Sequence, residues 1–193
     1  MDGDASEESL MAAYAAGDEA AFARLFASLA PKMHSFFLRS FRDRAVCDEL
    51  LQTTFLRIHR ARASYRRELP LRPWAFTIAA HVRRDELRRW HRLREDPGEE
   101  ALAAAAEARA RDAAPDAEQA FGSRDVAERL RAALDALPES QRVVIHLHRY
   151  EEMTFAQIAG VLSTSEVAVR GRAFRAYAQL RKQLADLAEG SDS

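Results

Sequence analysis

The sequence predicts an all-α fold: two small helical domains joined by a flexible linker, the C-terminal one a helix-turn-helix. Three observations carry that expectation. Strand signals are nearly absent, since β-branched runs are few, no Asn-Gly or Asp-Gly pair sits between alternating apolar stretches, and the chain has only seven glycines. Apolar residues recur instead at the three-and-four spacing of a buried helical face. Between two such regions lies an acidic, alanine-rich stretch with no substantial apolar face.

The elements follow in order. Leu10, Tyr14, Ala21, Phe22, Leu25, Phe26 and Leu29 keep helical spacing across residues 7–29, and Gly17-Asp18 predicts a helix end followed by a new start. Residues 31–42 read as a further helix opened by Pro31, because proline suits a first helical position, with Met33, Phe36, Phe37 and Phe41 inward. Asp43 to Arg62 reads as a helix burying Val46, Leu50, Leu51, Phe55 and Ile58. A loop then leads to a helix from about Pro73 to Arg94. Residues 96–123 form the acidic linker, punctuated by Pro97-Gly98 and Pro115. Val126 to Leu137 is an amphipathic helix stopped by Pro138. The expected domains are therefore residues 7–95 and 124–186.

The last segment is the most informative. Phe155, Ile158, Ala159 and Leu162 share one buried helical face, and Ser163-Thr164-Ser165 then breaks the pattern. Ser165 is placed to cap the next helix, with Glu166 in its first turn. Ser163 falls at the left-handed position where such turns often carry glycine, a substitution costing about 1 kcal/mol. Val167, Val169, Ala173, Phe174, Tyr177, Leu180 and Leu184 are expected on the buried side of the last helix. Arg170, Arg172 and Arg175 lie near its start, the end that a helix-turn-helix inserts into the major groove.

Charge is segregated although the net value is only −1. From Arg57 to Arg94 twelve arginines face three acidic residues, whereas from Glu95 to Asp125 nine acidic residues face three arginines. Such a split points to a basic working surface and a separate acidic segment. Other classes are poorly supported. Cys47 stands alone, which leaves no intrachain disulfide and no cysteine metal cluster. His146 and His148 are two apart, on different faces of a helix, so neither a shared metal nor a catalytic pair is expected. No cofactor motif and no enzyme signature stands out. No apolar run approaches the roughly 20 residues of a membrane span, and the acidic start lacks an export pattern, so a cytoplasmic location is expected.

Both halves resemble one family, the extracytoplasmic-function (ECF) RNA polymerase sigma factors. The first half carries the resemblance from Asp48 to Arg92: an acidic-Leu-hydrophobic-Gln helix, an aromatic-Arg loop, and a Trp followed by an Ile-Ala helix. The second carries Leu137-Pro138, then Gln157-Ile158-Ala159, then Val169-Arg170-Gly171-Arg172. The resemblance implies two tethered helical domains that bind the polymerase core and direct it to promoters. It implies contact with the clamp helices of the large polymerase subunit through Asp48, Glu49, Leu51, Gln52 and Phe55. Thr53 stands where the family usually has Glu, so one ion pair is lost there.

Opening a promoter requires flat surfaces for unstacked bases and positive charge for phosphates. Tyr65, Trp74 and Trp90, interleaved with Arg66, Arg67, Arg72, Arg83, Arg84, Arg88 and Arg89, have that composition. By resemblance, the minus-ten residues are Tyr65, Arg66, Glu68, Trp74 and His81, with Arg84 and Arg88 toward phosphates. The minus-thirty-five residues are Arg170 and Arg175 at base edges, Arg172 at a base or a phosphate, Phe174 at a thymine methyl or in the core, and Gly171 where the backbone nears DNA. Promoter DNA, the polymerase core and an anti-sigma factor are the implied partners. Two other readings stay open at this stage: a helix-turn-helix activator, which has no need of the basic aromatic first half, and a sigma mimic sequestering an anti-sigma factor, which has no need of the DNA-facing arginines.

Overall fold

The computed structural model describes residues 6–95 and 123–185. Within them the chain is helical throughout, with eight α-helices, one 3-10 turn and no strand. It divides into two compact units, the first holding residues 6–95 and the second most of residues 123–185. The linker expected at residues 96–123 lies outside the described residues except at Ser123.

In the first unit, α1 spans Glu7–Ala15, α2 Glu19–Phe41, α3 Arg44–Ala61 and α4 Leu71–Glu95, with a 3-10 turn at Arg62–Ser64 after α3. Short polar side chains start three of these helices. Ser6 Oγ accepts from the Ser9 N–H, Asp18 from Ala20 and Ala21, and Asp43 from Ala45 and Val46. Gly17, at φ 104°, supplies the left-handed residue that the turn between α1 and α2 needs. The core is built from Leu25, Leu29, Met33, Phe36 and Phe37 of α2, Cys47 and Ile58 of α3, and Leu71, Ala75, Phe76 and Ala79 of α4. Phe36 meets Phe37 and Phe76 edge-on, both at 5.5 Å between ring centroids.

Two helix boundaries differ from the sequence expectation. No helix begins at Pro31, which sits inside the 23-residue α2. An interior proline loses one backbone hydrogen bond and costs about 3 kcal/mol. Here the buried ridge running from Leu25 through Leu29 and Met33 to Phe36 and Phe37 crosses it unbroken, and burial at roughly 2 kcal/mol per large side chain exceeds that cost. Similarly, α4 begins at Leu71 rather than Pro73. Proline loses nothing in a first turn, where N–H groups have no helical acceptor, and Leu71 is fully buried.

The second unit holds α5 (Ser123–Asp135), α6 (Glu139–Arg149), α7 (Phe155–Leu162) and α8 (Glu166–Gln183). Its central helix is α6, in which Val143 through Leu147 are all buried. Leu134, Leu137, Ile145 and Ala176 form one apolar cluster, with Leu180 against it. Arg142 Nη1 donates to the Asp135 and Leu137 carbonyls at 2.7 and 2.9 Å, closing the end of α5. Thr154 and Gln157 form a reciprocal capping box that starts α7. Gln157, noticed as part of a family pattern, is therefore occupied in local structure. Ser163 adopts φ 52°, the left-handed position expected of it, and Thr164 N–H donates to Ala159 O across that turn. Ser165 Oγ accepts from Ala168 N–H and starts α8. His146 and His148 face different neighbours: His146 Nε2 lies 3.5 Å from Glu151 Oε1, while His148 Nδ1 donates to Met153 O at 2.9 Å.

Candidate nucleic-acid interface

The outer side of α3 carries the first set of selected residues. Asp48, Glu49 and Gln52 are exposed at helical spacing and Leu51 is half-buried at their edge. Asp48 Oδ1 lies 3.3 Å from His34 Nε2 of α2, so its carboxylate is aligned but still largely in water. Phe55 differs from these. It is buried, its ring 4.5 Å from Phe26 and 6.2 Å from Phe22, and it supports the helix from beneath. The exposed apolar residue at this place is its neighbour Leu56, 49 % exposed. Periodicity passes over Leu56 because it falls off the inward stripe of Leu50, Phe55 and Ile58 and outside the acidic-Leu-hydrophobic-Gln pattern.

The second set lies around the loop between α3 and α4. The Tyr65 hydroxyl donates to Leu69 O at 2.7 Å, and the Leu69 N–H donates to Arg66 O, so the loop is folded on itself. The Tyr65 ring packs on Trp74 at 5.1 Å. Burial, then the nearby charges of Glu8 and Glu68, push the Tyr65 hydroxyl above its usual pKa and keep it a neutral donor. Arg66 and Glu68 project outward, as do His81 and Arg88, with Arg84 half-buried. Along the continuous α4, Trp74, His81, Arg84 and Arg88 fall within about 80° of one another, at 100° per residue. The structure thus aligns an aromatic pair and three basic-type side chains along one edge.

Several arginines from the basic stretch have internal tasks instead. Arg72 binds Glu7 through Nε at 2.7 Å, Arg83 is buried with Nε on Ser40 Oγ at 2.7 Å, and Arg89 pairs with Glu86 at 3.2 Å. Trp90 is not the free surface ring expected of it, since it is half-buried and packs edge-on against Phe41 at 5.2 Å. The polar residues around it in sequence lie on other faces of α4.

The third set is on α8. The side of this helix that packs inward is small: Val169, Ala173 and Ala176. Val167 and Phe174, expected inside, are 79 % and 76 % exposed, and Tyr177 also reaches solvent. Arg170 lies within about 60° of Val167 and Phe174 on the wheel, one turn along the helix from each. Its guanidinium is held by Glu166 at 2.6 Å and sits 5.2 Å over the Phe155 ring. Arg175, exposed, and Arg172, half-buried, share the opposite flank, about 140° and 160° from Arg170. Gly171 is half-buried, and a Cβ there would meet only the Arg175 guanidinium at 3.5 Å. Val167 is the residue missed here; its place in the first turn after Ser165 was the available signal.

Two family models match parts of the chain. Residues 25–93 match the family Sigma-70 region 2, and residues 127–180 match Sigma-70, region 4. The RNA polymerase sigma factor CarQ of Myxococcus xanthus is 33 % identical over 171 residues, covering 89 % of this chain and 93 % of the relative. The ECF RNA polymerase sigma factor SigM of Mycobacterium tuberculosis is 28 % identical over 185 residues, covering 96 % and 88 %. Among solved structures, CnrH in complex with the cytosolic domain of CnrY aligns with a TM-score of 0.58 at 27 % identity, over 97 % of this chain and 99 % of that one. The sigma factor RpoE of Bartonella quintana, solved with the anti-sigma factor NepR, shares the fold at a TM-score of 0.64 and 20 % identity, over 85 % and 96 %.

Proposed function

The chain belongs to the ECF sigma factors of the sigma-70 family and directs RNA polymerase to promoters, and from that premise we propose how its surfaces divide the work. The outer face of α3, with Asp48, Glu49, Gln52 and Leu51, docks on the clamp helices of the polymerase core. Leu56 is its exposed apolar anchor, and Phe55 fixes the helix from behind. Acidic side chains around one apolar contact suit a basic coiled coil and give specificity and fast association.

The loop after α3 and the adjoining edge of α4 capture the unpaired minus-ten strand. Tyr65 and Trp74 supply stacking surface, Arg66, Glu68 and His81 face the bases, and Arg84 and Arg88 neutralise phosphates. The observation that carries this is the common edge of α4 on which Trp74, His81, Arg84 and Arg88 line up beside the Tyr65 ring. A strand laid along that edge meets rings and cations together, as single-stranded DNA recognition requires.

In the second unit, α8 reads the minus-thirty-five duplex. Arg170 and Arg175 address base edges from two flanks of α8, Val167 and Phe174 meet thymine methyls one turn before and one turn after Arg170, and the half-buried Arg172 serves a phosphate. Gly171 keeps the helix narrow at the groove. The protein acts in the cytoplasm as a non-catalytic specificity subunit. An anti-sigma factor restrains it, as supported by the related RpoE solved with NepR.

The test is reconstitution with core polymerase and selection of promoters from a random library. Start-specific transcripts that need both a minus-ten and a minus-thirty-five element, and that fall with Tyr65→Ala and Arg170→Ala, support the reading. A chain that binds duplex DNA but never associates with core would replace it with the activator reading.

A further inference from the structure

The nine-residue α1 precedes the region matched at residues 25–93, yet it touches both ends of the loop just described. At the loop's start, the Tyr14 hydroxyl hydrogen-bonds His59 Nδ1 near the end of α3, and Arg62 of the 3-10 turn lies 5.8 Å over the Tyr14 ring. At the loop's end, Glu8 Oε1 accepts the Leu71 N–H at 3.2 Å, and Glu7 holds Arg72 through both of its carboxylate oxygens, at 2.7 and 3.3 Å. Glu7 also accepts from Ser28 Oγ at 2.6 Å and Lys32 Nζ at 2.8 Å, which fixes α1 to α2.

These contacts have a specific local effect. The first turn of α4 begins Leu71-Arg72-Pro73, preceded by Pro70, so its own chain offers no Ser, Thr, Asp or Asn to cap it. Glu8, 63 residues earlier, supplies that cap from another helix, and its charge complements the positive end of α4. Trp74 lies on this same first turn and carries the Tyr65 ring. The position of the aromatic pair is therefore set by a carboxylate outside the loop.

We infer that α1 is a clasp across the two ends of the minus-ten loop, and that Glu8 is a positioning residue for capture of the unpaired strand. The inference rests on the assignment of the minus-ten element to this loop. Glu8 is not required for docking on core, because its hydrogen bond goes to Leu71 of α4 and the outer face of α3 is built by residues of α3 itself.

The experiment uses holoenzyme reconstituted from the full chain and core polymerase. Its readout is the ratio of affinities for a cognate single-stranded minus-ten oligonucleotide and one carrying a substituted base. Glu8→Ala should lower that ratio about five-fold, the worth of one lost helix cap, with core binding unchanged. Glu8→Gln, which keeps the accepting oxygen, should preserve the ratio. Glu8→Asp, shortened by one methylene so that its oxygen falls short of the Leu71 N–H, keeps the charge and serves as the second variant should Glu8→Ala fold poorly; it should behave as Glu8→Ala does. A merely structural helix would move thermal stability and core binding together and leave the ratio alone. An unchanged ratio in both Glu8→Ala and Glu8→Asp, or a Glu8→Gln as impaired as they are, overturns the inference. Tyr65→Ala, measured alongside, separates the two levels: an unchanged ratio there overturns the minus-ten assignment itself.

Discussion

Glu7 gives the prediction with the most complete physical account. Burial alone would raise its pKa, but hydrogen bonds from Arg72, Lys32 and Ser28, with the Arg72 charge, more than offset this and hold it at about 2 instead of 4.5. A drop of that size corresponds to about 3 kcal/mol in favour of the ionised, folded state. Glu7 is 14 % exposed, but Arg72 and Lys32 are 34 % and 29 % exposed, so solvent screening brings the expected contribution to about 2 kcal/mol. Because the folded pKa is the lower one, this stability is fully present above 4.5 and is lost as pH falls from there through about 2. The assay is urea unfolding followed by tryptophan fluorescence; Trp74 and Trp90, the chain's two tryptophans, both lie on α4, so the signal reports the first unit alone. At pH 7, Glu7→Gln should unfold at about 1–2 M less urea than the wild type. At pH 2.5 the gap should shrink to about a quarter of its neutral value. A gap of equal size at both pH values would show that packing, not the carboxylate charge, is what Glu7 contributes, and the reasoning would be wrong.

Four further outcomes are expected. Arg170→Ala should weaken binding at a cognate minus-thirty-five element about 5- to 150-fold, equivalent to 1–3 kcal/mol, and leave binding to a scrambled element nearly unchanged; Arg172→Ala should weaken both alike and lower the salt slope by about one. Leu56→Ala should cost about ten-fold in core affinity, measured by fluorescence anisotropy, as expected for an apolar anchor, with no change in Tm of the free protein. Phe174→Ala should change unfolding free energy by less than about 0.5 kcal/mol, whereas Phe76→Ala, fully buried, should cost about 3–5 kcal/mol. Cys47 is pushed up to about 12 by burial, with Asp43 and Asp48 adding to it; a disulfide reagent at pH 8 should therefore modify it far more slowly in native protein than in urea.

The sequence reveals helices here because three-and-four spacing and capping residues are local signals. Ser6 was not singled out, but Gly17-Asp18, Asp43 and Ser165 marked helix starts that the structure has. Pro31 misled because proline has a rule for the first turn and a rule for the interior, and only the buried ridge beneath α2 decides between them. The outward stripe on α3 and the aromatic loop were legible as residue types in order. Their supports were not. The contacts of Glu7 with Arg72 and of Glu8 with Leu71 span more than sixty residues, and no local pattern encodes such a distance. Nor could composition separate arginines that face outward, such as Arg66 and Arg88, from Arg83, which is buried on Ser40.

The most instructive error concerns α8. A stripe drawn through its largest apolar residues puts Val167 and Phe174 inside, whereas the helix buries Val169, Ala173 and Ala176 instead. Small side chains let a helix lie close against its neighbours, so the inward side needs less apolar bulk than the stripe assumed. The large residues are then left outside, where each exposes apolar surface on the side of the helix that carries Arg170. A solitary exposed apolar residue needs no explanation, but two flanking an arginine on the first turns of a helix-turn-helix second helix form a contiguous face. That face combines an arginine able to pair with guanine and apolar atoms suited to thymine methyls, which is the chemistry of a major groove rather than of a protein core. The physical signature of a reading helix is thus an apolar content that exceeds what its own domain can bury.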